Sequence, residues 1–74
     1  NPITTISFNL TEPSYVRLEV FSATGARVAT LVDHQMESGE HSVPFNAQGL
    51  SSGVYFYRLS AGRQIETKKM VLLR

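Results

Sequence analysis

Apolar and polar residues alternate along most of this chain, and turn-forming residues interrupt the alternation about every ten positions. No stretch repeats its apolar positions at the helical period. Ile6, Phe8 and Leu10 alternate with Thr5, Ser7 and Asn9, which predicts a first strand over about residues 4–10. After the turn Thr11-Glu12-Pro13-Ser14, Val16, Leu18 and Val20 alternate with Arg17 and Glu19, so a second strand is expected to keep its charges outward. Ala23-Thr24-Gly25-Ala26 predicts a hairpin in which Gly25 supplies a positive φ. A third strand follows over about 27–32, with a bulge or an early end where Val28 and Leu31 stand three apart.

Residues 33–39 are polar and predict a turn with at most a short edge strand. His41, Val43 and Phe45 alternate again, and Pro44 among them places that strand at a sheet edge. Leu50-Ser51-Ser52-Gly53-Val54-Tyr55 has the layout of a tyrosine corner, in which a Tyr hydroxyl caps loop backbone at one end of a Greek-key sandwich. It leads into a strand over about 54–59, a hairpin at Ser60-Ala61-Gly62-Arg63 and a last strand over about 64–73. The fold class is therefore all-β, an immunoglobulin-like antiparallel β-sandwich of six or seven strands. Strand parity turns Ile6, Phe8, Leu10, Val16, Leu18, Val20, Val28, Val43, Phe45, Tyr55, Tyr57 and Leu59 inward.

Composition narrows what such a sandwich does. A chain of 74 residues makes one domain and buries only about 60% of its unfolded surface. With no Cys, no disulfide adds to its core. The basic residues (Arg17, Arg27, Arg58, Arg63, Lys68, Lys69, Arg74) are scattered among acids for a net charge of +1, which argues against nucleic-acid binding. A single Asp, Asp33, and five Glu fall in no catalytic constellation. His34 and His41 lack neighbouring ligand residues, and His41 shares strand parity with Val43 and Phe45, the position of a half-buried packing residue. No catalytic residue, metal, cofactor or small-molecule substrate is expected.

Tyr15, Phe21, Tyr55, Phe56 and Tyr57 are the aromatics that a sugar-binding sandwich would use. Trp, the largest platform, is missing, and Tyr55 and Tyr57 share a face with Leu59, which favours packing. The apolar run Met70-Val71-Leu72-Leu73 is the least ordinary feature. A terminal strand apolar on both faces suits pairing with a partner, by its edge or its outer face.

Taken in order, Asn1-Pro2, Thr4-Thr5-Ile6-Ser7-Phe8, Val16-x-Leu18-x-Val20-Phe21, Gly25-x-x-Val28, Gly39-x-His41, Leu50-x-x-Gly53-Val54-Tyr55 and Lys69-Met70-Val71-Leu72 resemble the type A C-terminal sorting domains of the type IX (Por) secretion system. The resemblance covers the whole chain. It implies a single C-terminal domain, excised from a larger secreted protein of the Bacteroidetes group, that directs its parent across the outer membrane after periplasmic transit. The implied partners are an outer-membrane translocon and a sortase-type peptidase that cleaves upstream of Asn1 and links the cargo to surface lipopolysaccharide. The implied translocon-recognition residues are Gly53, Val54, Tyr55, Lys69, Met70, Val71 and Leu72. Self-association through the terminal strand is a further expectation. The alternative is a structural or accessory immunoglobulin-like module, similar to flagellar hook-capping or carbohydrate-binding domains, at the end of an extracellular enzyme.

Overall fold

A computed structural model describes residues 3–73. Asn1-Pro2 of the leading motif and Arg74 of the terminal stretch lie outside the described residues. Six strands follow one another: β1 (Ile3–Leu10), β2 (Ser14–Ser22), β3 (Arg27–Met36), β4 (Gly39–Asn46), β5 (Gly53–Ala61) and β6 (Gln64–Leu72). They form two antiparallel sheets, β1-β4 and β3-β2-β5-β6. The links β1–β2, β3–β4 and β4–β5 cross between sheets, which gives the immunoglobulin-like sandwich expected from the alternation.

The core follows strand parity. Val16, Leu18 and Val20 on the inner strand β2 are fully buried, joined by Ile6, Leu10, Val32, Phe45, Ala47 and Tyr55. Phe8, Val43, Tyr57 and Leu59, also expected inward, are half-buried against that core. The first hairpin closes where expected, with Ser22 N–H donating to Ala26 O at 2.8 Å and Gly25 N–H to Ser22 O at 2.9 Å. Gly25 has φ +92°, in the region that a side chain makes costly.

Three expectations need correction. Val28 is 37% exposed rather than inward. The β2–β3 register slips between Val20 and Phe21, so Val20 faces Ala29 and Phe21 faces Arg27, which leaves Val28 as the unpaired residue of a bulge. A second slip between Leu18 and Glu19 accounts for Leu31, the other half of the irregular spacing.

Residues 33–36 are not a turn. They continue β3, because β2 supplies a partner for each: Arg17 for Asp33, Val16 for His34, Tyr15 for Gln35 and Ser14 for Met36. The Tyr15 hydroxyl ties this extension down, donating to the Asp33 carboxylate at 2.7 Å. Only Glu37 and Ser38 remain between β3 and β4.

Glu19 is the third. It lies on the outer face of β2 as parity requires, yet it is only 4% exposed. Arg27 from β3 and Arg58 from β5 close over its carboxylate.

Candidate functional site

Gly53-Val54-Tyr55 and Lys69-Met70-Val71-Leu72 are far apart in sequence but meet across the β5–β6 ladder. Gly53 is opposite Leu72, Val54 opposite Val71, Tyr55 opposite Met70 and Phe56 opposite Lys69. The two-residue turn at Gly62-Arg63 sets this register at Ala61–Gln64, and no bulge disturbs it before Leu72. All seven sequence-derived residues thus occupy one end of one strand pair.

Pleating divides them by job. Tyr55, Met70 and Leu72 lie on the inner face, with Tyr55 buried and the other two packed against the core. Val54, Lys69 and Val71 lie on the outer face, where Val54 is 38% and Val71 55% exposed. Gly53 starts β5 with φ +146°. Space around it is open, so backbone conformation rather than crowding selects glycine there.

The tyrosine corner is present. Tyr55 Oη donates to Ser51 O at 2.9 Å and lies 3.4 Å from Ser51 Oγ, while Leu50 N–H donates to Ala47 O at 3.0 Å. The loop before β5 is thereby fastened to the start of β5. Tyr55→Phe should lose about 1 kcal/mol of unfolding free energy, the value of one such hydrogen bond. Gly53→Val should lose roughly 1–3 kcal/mol through backbone strain. Urea melts of the two variants against the parent chain check both; a Tyr55→Phe melt that overlays the parent's would mean the hydroxyl fastens nothing.

Sequence reading missed the polar cluster beside this site. Glu19 Oε2 accepts from Arg27 Nη1 at 3.1 Å, and Oε1 accepts from Arg58 Nη2 at 3.2 Å. Burial alone would raise the Glu19 carboxyl, but the hydrogen bonds and charges of the two arginines outweigh it and hold its pKa below the ordinary glutamate value. The Arg58 guanidinium also covers the Phe21 ring, 4.8 Å from its centroid. Arg58 faces Thr67 of β6, so the cluster lies on the same outer face as Val54, Lys69 and Val71. Alternation could show that Glu19 points outward, but not that two arginines from other strands cover it.

At the sheet's far rim, the Tyr15 hydroxyl, and then the Arg17 charge, hold the Asp33 carboxyl below its ordinary value. His34 Nδ1 lies 3.0 Å from Gln35 O. His41 Nε2 donates to Glu37 O at 2.7 Å, and its ring lies 5.5 Å from that of Phe8, the half-buried packing position read from parity. Among the described residues, no three His, Cys, Asp or Glu side chains come together as a metal site would need.

The fold is an immunoglobulin-like β-sandwich that closes with the β5–β6 hairpin. The chain belongs to the secretion system C-terminal sorting domain family, whose family model matches residues 1–73. It is a C-terminal sorting signal of the type IX secretion system, and such a tail marks its carrier for export across the outer membrane, to be released or held at the surface. Its role implies interaction with the type IX machinery. No curated protein and no solved structure matches the chain.

Proposed function

We propose that the domain works without catalysis, as a folded sorting signal read by the outer-membrane translocon at the β5–β6 end. The carrying observation is that Gly53, Val54 and Tyr55 pair with Leu72, Val71 and Met70 on the adjacent strand, with Lys69 opposite the next residue, Phe56. In this reading Tyr55, Met70 and Leu72 keep the end folded, and Val54, Lys69 and Val71 make the contact. Arg58, fixed by Glu19, borders that surface. The domain is the terminal unit of a larger exported protein, and a sortase-type peptidase then separates the two upstream of residue 1. Exchange of β6 between two copies would preserve every β5–β6 pair and is the route by which the isolated domain self-associates.

Removing residues 69–74 from a reporter fusion is expected to trap the reporter in the periplasm. That deletion also removes Met70 and Leu72 from the core, so a second variant separates recognition from folding. Lys69→Glu with Val71→Asp alters only outward-facing residues and should leave the melting curve within about 0.5 kcal/mol of the parent. It should nevertheless cut surface display by tenfold or more (about 1.4 kcal/mol in recognition), whereas Arg17→Ala exports normally. Full display of the double variant would remove the recognition role of this face. A mature carrier that retains residues 1–74 would favour the accessory-module alternative.

A further inference from the structure

A sandwich of a two-stranded and a four-stranded sheet has four open edges, and this one guards three of them. β3 carries two bulges together with Arg27 and Asp33. β4 carries Pro44 and Glu40. β6 carries Glu66, Lys68 and Lys69. Charges, prolines and bulges are the usual means of blocking unwanted strand pairing. β1 has none of them: Thr4-Thr5-Ile6-Ser7-Phe8-Asn9-Leu10 contains no charge, Pro or Gly and pairs with β4 in unbroken register. Among the described residues β1 pairs with β4 alone, so its other edge is open.

That edge overlooks a strip of the larger sheet that no strand of the described residues covers. Gln64, Glu66 and Lys68 stand on the inner face of β6, opposite Ala61, Leu59 and Tyr57, yet all three are exposed. A cavity of about 290 Å³ lies between them and Ser7–Leu10 of β1. It continues into a second, of about 350 Å³, that runs past Asn9 and Leu10 to Glu12 and shares Ala61 and Gln64 with the first. The two-stranded sheet is one strand too narrow for the sheet it covers.

We propose that this slot is a β-augmentation site, taking one extended segment of a partner protein as a third strand beside β1. Backbone bonds to the open edge supply affinity, and the floor supplies the choice of sequence. The floor is charged, so the inward side chains of the guest carry complementary charges. The cavities place Leu10 near Gln64 and Ser7 towards Lys68, so β1 runs opposite to β6. A guest antiparallel to β1 therefore runs in the direction of β6, setting a basic residue over Glu66 and, two positions later, an acidic one over Lys68. A second copy of this chain does not fit by antiparallel β1–β1 pairing, because both copies of β6 would need the same place in one layer. The proposal is independent of recognition at the outer β5–β6 face.

The test titrates the 74-residue chain with the capped peptide Thr-Thr-Lys-Thr-Glu-Thr-Thr at low salt, followed by amide chemical shifts. Shifts should concentrate at Ser7–Leu10 and Gln64–Lys68. The charge-exchanged peptide Thr-Thr-Glu-Thr-Lys-Thr-Thr should bind about tenfold more weakly. A double variant, Glu66→Lys with Lys68→Glu, should reverse that preference while keeping both exposed positions charged and the fold intact. N-methylation of alternate peptide amides should abolish binding. Equal affinity for the two peptides, shifts centred on β3 or β4, no binding of the first peptide, or dimerisation through β1 would each overturn the proposal.

Discussion

Leu18→Ala is expected to cost roughly 2–5 kcal/mol of unfolding free energy. Leu18 is fully buried on an inner strand of the larger sheet, between Val32 on β3 and Leu59 on β5, and beneath the β1-β4 sheet. Truncation removes apolar contacts on every side, and the flanking strands, held by their own ladders, cannot collapse into the space. A domain of this length has about 4–11 kcal/mol of stability in all, so the variant should be substantially unfolded at modest urea. Val71→Ala, at a site 55% exposed, should move the midpoint hardly at all. A Leu18→Ala loss below 1 kcal/mol in equilibrium urea melts would mean that the sandwich centre is not where the burial places it.

The second large effect is expected at Glu19. Glu19→Gln keeps the shape but removes the charge that two arginines share, leaving an amide N–H₂ facing a guanidinium. The loss should be roughly 1.5–3 kcal/mol near neutral pH, the range for hydrogen bonds to a charged group. The same cluster fixes a pH dependence. Because the folded pKa lies below the ordinary value of 4.5, the unfolded chain binds protons that the folded one refuses as pH falls through that range. The stabilisation is fully present above 4.5 and declines as pH drops towards the folded pKa. Asp33 acts in the same direction. Urea melts between neutrality and pH 3 should show a steeper acid loss for the parent than for Glu19→Gln, and parallel curves would show that Glu19 titrates as an exposed glutamate does.

The strands were legible wherever one face meets the core and the other meets water. That condition holds for Ile6–Leu10 and Val16–Val20, and the inward residues there follow directly from alternation. It fails on β3, where two bulges shift parity and turn Val28 out while Ala29 takes its place. The extension of β3 through Met36 depends on cross-strand partners and on Tyr15, neither of which composition within 33–36 reveals. The candidate site was legible as two segments of residue types. Their juxtaposition follows from the turn at Gly62-Arg63, since a two-residue connection without a bulge determines every later pair. The cover over Glu19 was not legible, because it needs the β2–β5 register, which long loops do not constrain.

Connectivity divides the four ladders into two local and two long-range ones. β2–β3 and β5–β6 are hairpins, so each ladder grows outward from its own short turn, on a microsecond scale. β1–β4 joins residues 3–10 to residues 39–46 and forms only after the chain between them has been drawn together. Closing that interval costs entropy before any contact offsets it, and the β2–β5 ladder, which joins residues 16–22 to residues 55–61, carries the same cost, so both long-range ladders form after the hairpins. Until those two ladders close, the apolar face bearing Val16, Leu18 and Val20 lies open to water.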